Sequence, residues 1–388
     1  MFNLGSMGTS RCRRRQCGAA WLVFTLVVAC SEEDSTRLFD PRLGDVGPRP
    51  AAFLNFPSSA RSAPLAAAVA QSGFPLLLSD TGAFRDVSRL EPEPSLVPYD
   101  LLAPLWSDGS QKRRWLSLPE LGSVRVSDED AWRISPGTVL VKHFEMQLDE
   151  RQPERRKLET RFLIAAEGGS FYGVTYRWNE AGTDAELQLQ SETETLSIIG
   201  TDGVQREQPY YYPGTSDCIT CHTSTAGYVL GLRTRQLHRE LEYVPGAPAV
   251  NQLVAWSTWG LLDRGFDEAE IEALPRLSAI ADESEPLEMR IRSYWDSNCA
   301  MCHSGSRGSV SGWDARYFVP LEDRGLDRPP QMLTANAPDA LVVPGDPEGS
   351  YIYLRSATTE RSVRMPPIGR NRIDQTYVDA LERWIDSL

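Results

Sequence analysis

The chain has 388 residues, of which 41% are hydrophobic and 24% are charged, and its formal net charge is −13 at pH 7. A chain of this length and composition buries one or more ordinary cores, which excludes the fibrous and the disordered classes of protein. The acidic balance argues against nucleic acid as a partner and favours basic protein partners, or simple solubility.

Residues 1–29 have the pattern of a secretory signal peptide. A basic region with four arginines precedes an apolar run of 12 residues, 18–29, which is too short for a bilayer-spanning helix of about 20 residues. The run ends in Ala29 followed by Cys30, and this end resembles the lipobox of bacterial lipoproteins. The resemblance implies cleavage before Cys30 and lipidation of its thiol. A plain small-residue cleavage site is the alternative.

The residue after the proposed lipidation site bears on where the protein resides. Ser31 takes the place of the aspartate that commonly marks inner-membrane retention, so the resemblance implies export to the periplasmic side of the outer membrane. A lipid on Cys30 would hold the protein at the membrane surface without spanning the bilayer. Residues 30–95 are rich in serine, proline and alanine, which predicts a lipidated tether. Removal of the four signal arginines would change the net charge from −13 to −17.

Residues 96–210 alternate apolar and polar side chains, which predicts an antiparallel β domain similar to a sandwich. The alternation is clearest at 158–164 and 172–178, and glycine-containing turns separate the runs. Such strands are typical of a sheet that is wetted on one side. Aromatic and charged clusters at 105–109 and 112–115 indicate either a binding cleft or ordinary surface packing.

Two Cys-x-x-Cys-His motifs follow, and they comprise Cys218, Cys221 and His222, and then Cys299, Cys302 and His303. At this spacing two thiols are joined covalently to a haem and the adjacent histidine ligates its iron. A thioredoxin-like thiol pair, a zinc site and a structural disulfide are the competing interpretations. The three other cysteines belong to the signal and the anchor, so all four remaining thiols lie in the motifs. This arithmetic favours two covalently bound haem c groups.

The C-terminal third has helical periodicity around the second motif. Residues 287–298 place their apolar side chains on one face, with Ser284 as a candidate N-cap, and Asp374 precedes a second amphipathic helix. Met365 and two prolines lie between them, 62 residues beyond His303. The first motif, in contrast, follows a Pro-Gly turn.

Residues 284–388 therefore resemble a class I cytochrome c, and this resemblance implies that Met365 is the sixth ligand of the iron bound by His303. From about residue 75 onward the chain resembles bacterial di-haem c-type cytochromes with a β-rich N-terminal region, on the two motifs and on phrases such as 104–108 and 176–179. The implied fold is α+β, with a sandwich-like β domain followed by a mainly α di-haem region. Residues 211–283 would surround the first haem. The resemblance implies periplasmic electron transfer with redox proteins as partners.

The sixth ligand of the first haem is open. His238 is the preferred candidate, followed by Met289 and by an empty position, while Met301 is set aside because it belongs to the other motif. The answer separates an electron carrier from a peroxidase-like oxidoreductase with an open or weakly ligated first haem. A third hypothesis is a ligand-binding β domain whose haems report redox state. The carrier is favoured, because no acid-base set is evident near His222.

Overall fold

The computed structural model describes residues 40–44, 46, 47, 49, 52–59, 73–128, 131–305, 312–329, 338 and 340–388. The predicted signal peptide, the lipidation site Cys30 and the first part of the tether lie outside these residues. Within the described ranges, no helix has both the length and the apolarity to cross a bilayer.

The architecture is built on a six-stranded antiparallel sheet of order β10-β9-β8-β7-β4-β3, accompanied by the two-stranded sheets β1-β2, β5-β6, β11-β12 and β13-β14. The strands are β1 (Phe84–Asp86), β2 (Glu91–Pro92), β3 (Val97–Tyr99), β4 (Gln111–Ser117), β5 (Val124–Arg125), β6 (Arg133–Ile134), β7 (Val139–Met146), β8 (Arg156–Ala165), β9 (Phe171–Trp178), β10 (Ala185–Gln188), β11 (Glu192–Ile199), β12 (Gln205–Tyr212), β13 (Glu240–Leu241) and β14 (Val250–Asn251). The fold is therefore α+β with substantial antiparallel sheet, as predicted, but no second large sheet forms a sandwich within the described residues.

Both faces of the large sheet are covered. One core packs on the face that carries Leu116 and Leu140, and a second packs on the face that carries Val141, Phe162 and Val174. The prediction of a sheet wetted on one side is wrong, because the segments that follow the β domain fold back over its polar face. That face lines a cavity and keeps only partial contact with solvent, since the Arg161 side chain on it is 33% exposed.

The described parts of the segment predicted as a tether, residues 30–95, pack on the sheet, with Leu43 in the first core and Phe56 in the second. Leu78, Phe84, Leu90 and Leu96 are buried in the second core, and the Phe84 ring meets the Trp115 ring edge-on at 5.5 Å. The residues between them include glycine, serine and proline, and no continuous alternation of apolar and polar side chains connects them. Tertiary packing onto the sheet orders them.

The helices are short, and they lie in the part of the chain after the large sheet. They are α1 (Cys218–Cys221), α2 (Thr234–Leu237), α3 (Gln252–Thr258), α4 (Glu268–Ile271), α5 (Leu287–Asn298), α6 (Tyr351–Ser356) and α7 (Gln375–Asp386). Long irregular segments connect them, so the region from 211 onward is not the mainly α region that was predicted. Residues Asp40–Leu388 form one compact unit, and the segments predicted as 96–210, 211–283 and 284–388 pack together within it.

The two predicted C-terminal helices are present, with one difference at a helix start. Asp374 caps α7 as predicted, since its carboxylate accepts a hydrogen bond from the Tyr377 amide at 3.3 Å. Ser284 does not cap α5, because the helix begins three residues later and the Ser284 hydroxyl donates to Asp282. Tyr377 also stacks on Tyr294 at 3.7 Å, which fixes α7 against α5.

Candidate functional site

The first motif lies on the polar face of the large sheet. Its two cysteines begin and end α1, and the amide of His222 donates to the Cys218 carbonyl at 2.9 Å. Asp217 fixes the entry to this turn by accepting a hydrogen bond from the Gly214 amide at 2.9 Å. Both thiols and the imidazole therefore belong to a single helical turn, as the spacing predicts.

A glycine in the sheet makes room for the first cysteine. Gly173 lies in the buried middle of β9, and a Cβ atom at this position would lie 2.5 Å from Sγ of Cys218 and 2.9 Å from its Cβ. Both distances are well inside van der Waals contact, so a side chain at residue 173 would displace α1 from the sheet. The sequence pattern did not identify this residue as part of the site.

His222 is held by the backbone. Its Nδ1 lies 2.6 Å from the carbonyl oxygen of Tyr228, and a protonated Nδ1 donating to that carbonyl leaves Nε2 as the free ligand atom. Tyr228 has a φ of 60°, a strained conformation for this residue type, and its ring stacks on Phe171 at 4.8 Å. Burial lowers the pKa of His222 to about 4, so the imidazole is neutral at pH 7.

The second motif follows α5 directly. Its histidine repeats the geometry of the first, since the His303 amide donates to the Cys299 carbonyl at 2.9 Å. Trp295 of α5 donates from its indole nitrogen to the Tyr377 hydroxyl at 2.8 Å, and its ring meets the Trp384 ring at 5.3 Å. Burial lowers the pKa of His303 to about 4. The packing of α5 against α7 thus presents the motif from a rigid support.

Met365 and the second motif share one cavity. The walls of this second cavity include Cys299, Cys302, His303 and Met365, and it encloses about 1330 Å³ of atom-free space up to its open mouth. The Met365 amide donates to the Arg355 carbonyl at 3.0 Å, and the Met365 carbonyl accepts from the Arg370 guanidinium. The residues that sequence reasoning paired across 62 positions therefore lie around the same space.

The first motif lines a neighbouring, first cavity of about 1780 Å³, again counted up to its mouth. This cavity lies between the polar face of the sheet and the segments after it. The two cavities are contiguous, because both are lined by Cys221, Met301, Pro366, Ile368 and Arg370. Two large ligands bound through the two motifs would be immediate neighbours.

The four thiols do not have the environment of a redox-active pair. None of them is in a disulfide. Burial raises the pKa of the Cys299 thiol to about 12 and raises the pKa of each other thiol as well, whereas thioredoxin-like catalysis requires a lowered thiol pKa. Within the described residues, no three His, Cys, Asp or Glu side chains are grouped as the ligands of a zinc ion are.

The structure does not support either candidate for the sixth ligand of the first haem. His238 does not line the first cavity and lies near the carbonyls of Leu274 and Pro275 instead. Met289 packs with Leu277 and Tyr317 in a small core. Both residues were chosen by sequence distance and residue type, and these criteria carry no information on which way a short helix turns its side chains.

The aromatic and charged clusters at 105–109 and 112–115 belong to the site in part, since Trp115 packs in the second core on the opposite face of the sheet. Trp106, Asp108 and Arg114 line the first cavity. The Asp108 carboxylate accepts from the amides of Asn371 and Arg372 at 2.6 and 2.8 Å, which ties the β domain to the loop that carries Met365. The binding-cleft interpretation therefore agrees with the position of Trp106, Asp108 and Arg114, and the packing interpretation with that of Trp115.

The residues present fit a haem at each motif. Gly173 leaves space at the sheet for the first thiol, and each motif has its imidazole on a cavity wall. The methionine side chain of Met365 lines the second cavity. Cys218, Cys221 and His222 would hold one group, and Cys299, Cys302, His303 and Met365 would hold the other. No family model, curated protein or solved structure matches the chain.

Proposed function

We propose that this chain is a di-haem c-type cytochrome that carries electrons in the bacterial cell envelope. Each haem would supply a one-electron couple between ferric and ferrous iron. The observation that carries the proposal is the contiguity of two cavities, each with two thiols and an imidazole on its wall. Two motifs that bound unrelated ligands would not need neighbouring cavities, whereas electron transfer between two haems requires them to be close.

The chain contributes ligand placement and burial to this function. His222 keeps Nε2 free because Nδ1 is engaged by a backbone carbonyl, and Met365 offers the soft sulfur that favours ferrous iron. The stacked pair Tyr294 and Tyr377 lines the second cavity and limits its access to water. Redox proteins of the envelope, basic ones in particular, are the proposed partners, since the chain is acidic.

A peroxidase-like oxidoreductase is the second candidate. One observation favours it: His222 is the sole histidine among the described residues lining the first cavity, and neither predicted sixth ligand lies there. Spectra of the oxidised protein separate the two functions. A high-spin ferric signal from one haem that shifts with cyanide would support the enzyme, and low-spin signals from both would support the carrier.

Haem content tests the common basis of both candidates. When the chain is produced in cells with a c-type maturation system, we expect two thioether-bound haems per chain, measured by intact mass and by the pyridine haemochrome. The Cys299→Ala/Cys302→Ala variant should keep only the first haem, and the Cys218→Ala/Cys221→Ala variant only the second. A chain that leaves maturation without haem would refute the proposal.

The Met365→Ala variant tests the proposed methionine ligand. It should lose the sulfur-to-iron charge-transfer band in its absorption spectrum, and one of its midpoint potentials should fall.

The location at the membrane is a separate part of the proposal. It depends on Cys30, which lies outside the described residues, and on the resemblance of residues 18–30 to a lipoprotein signal. We expect Cys30→Ser to move the protein from the membrane fraction to the soluble fraction, as judged by immunoblotting of fractionated cells. Unchanged membrane association of this variant would contradict the lipid anchor.

A further inference from the structure

A row of basic side chains crosses the polar face of the large sheet. In the strand register, Arg114 of β4 pairs with Lys142 of β7, and Lys142 pairs with Arg161 of β8. Directly paired residues point to the same face of a sheet, so the three cations are neighbours. Tyr99 and Thr175 complete the row on the outer side of the two arginines.

The row is poorly neutralised at its centre. Arg161 forms a two-point ion pair with the fully buried Glu159, with N–O distances of 2.8 and 2.5 Å. Arg114 donates to Asp100 at 2.7 Å, while its second terminal nitrogen is buried and has no partner. The Lys142 ammonium lies 4.9 Å from the centre of the Phe144 ring and has no hydrogen-bond or ion-pair partner among the described residues.

Protein stability does not account for this arrangement. Like charges directly opposite one another in a sheet are destabilising. The unpaired nitrogen of the buried Arg114 and the half-buried Lys142 ammonium add a desolvation cost. Burial and the neighbouring cations lower the pKa of Lys142 well below its ordinary value, which is the electrostatic consequence of the same crowding. An anion bound over the row would remove the repulsion.

The position of the row indicates which anion would bind. All three cations line the first cavity together with Cys218, Cys221 and His222. Two residues further along the strands, about 7 Å away, Leu140, Leu163 and Gly173 form an apolar row on the same face, and Cys218 packs on Gly173 of this row. The floor of the cavity is therefore apolar beneath the thioether positions and cationic beside them. A haem is divided in the same way, with two carboxylates on the edge opposite its thioether attachments.

From this juxtaposition we propose that the row Arg114, Lys142 and Arg161 is a carboxylate-binding site of the first cavity, with Lys142 as its central contact. The inference rests on the proposed function, because its expected ligand is the pair of carboxylates of the first haem. A small free carboxylate, admitted as a substrate of an open first haem, is the other source of the same chemistry.

The test uses the Lys142→Met variant of the full-length, haem-loaded protein, with both midpoint potentials measured by spectroelectrochemical titration. Uncompensated carboxylates stabilise ferric iron, so one potential should fall and the other should stay unchanged. Lys157→Met is the matched control, because Lys157 is on the same sheet but does not line the cavity. Lys142→Arg keeps the charge and should restore the potential, which separates charge from packing.

A second arm distinguishes the two sources of the carboxylate. Sodium acetate and sodium succinate are added to the wild-type protein while the absorption spectrum is recorded. No response, together with the potential shift in Lys142→Met, assigns the row to the haem. A saturable response that Lys142→Met abolishes assigns it to a free carboxylate. Two bound haems with unchanged potentials and no lost anion response in Lys142→Met would overturn this inference alone, whereas a lack of haem would overturn the proposed function.

Discussion

Replacing Gly173 with alanine should leave most chains with one haem instead of two. The added Cβ would lie 2.5 Å from Sγ of Cys218, and neither side can yield easily. Gly173 pairs with Leu163 of β8 on an inner strand, whose residues 175–178 pair with β10 on the other side, and Cys218 starts a helical turn held by Asp217. Overpacking of this kind costs about 1–3 kcal/mol in a well-packed interior. Here the displaced group is the thiol that must react, so haem attachment should suffer more than stability.

The measurement is the mass of the intact protein, which counts the attached haems, combined with thermal unfolding. Gly265→Ala is the matched control, because a Cβ at residue 265 meets no atom within 4 Å. That variant should carry two haems and unfold as the wild type does. If Gly173→Ala also carried two haems with an unchanged melting temperature, the close approach of α1 to the sheet would be wrong.

Removing Asp296 should destabilise the protein by roughly 3–5 kcal/mol, since it breaks a buried ion pair with Arg235. The two side chains are each 1% exposed, and the guanidinium donates to both carboxylate oxygens at 3.0 and 2.8 Å. Asp296 also accepts from the Tyr317 amide at 3.0 Å. The pair joins α2, which follows the first motif, to α5, which precedes the second. Its loss should therefore loosen both cavities.

Urea unfolding of Asp296→Ala, compared with Asp149→Ala, gives the measurement. Asp149 and Arg151 have the same two-point geometry, with both N–O distances at 2.8 Å, but they are exposed to solvent. Exposed pairs contribute little, so Asp149→Ala should unfold close to the wild type. The double variant Arg235→Met/Asp296→Leu should recover much of the lost free energy, because it removes both charges. Equal losses in Asp296→Ala and Asp149→Ala would contradict this account.

Several features follow from the sequence because they depend on local geometry. Spacing alone predicts two cysteines and a histidine in one turn, closed by a hydrogen bond from the histidine amide to the first cysteine's carbonyl. Cys218 to His222 forms this turn with its cysteines in α1, and Cys299 to His303 forms it directly after the end of α5. Alternation over 158–164 and 172–178 predicted β8 and β9, and Asp374 was identified as a cap from its type and position. In each case the residues that determine the structure are within a few positions of one another.

Other features were decided only by the tertiary structure, since they depend on how distant segments meet. Sequence alternation assigned Arg161 to the polar side of its strand, but only the fold shows that this side carries Arg114 and Lys142 as well and faces the first cavity. Gly173 matters because a helical turn 45 residues later packs on it. His238 and Met289 are turned away from the cavity by packing that their spacing does not encode. The sequence by itself determined the two motifs and the ligand proposed for them, because both depend on local spacing, and long-range packing decided what surrounds the motifs.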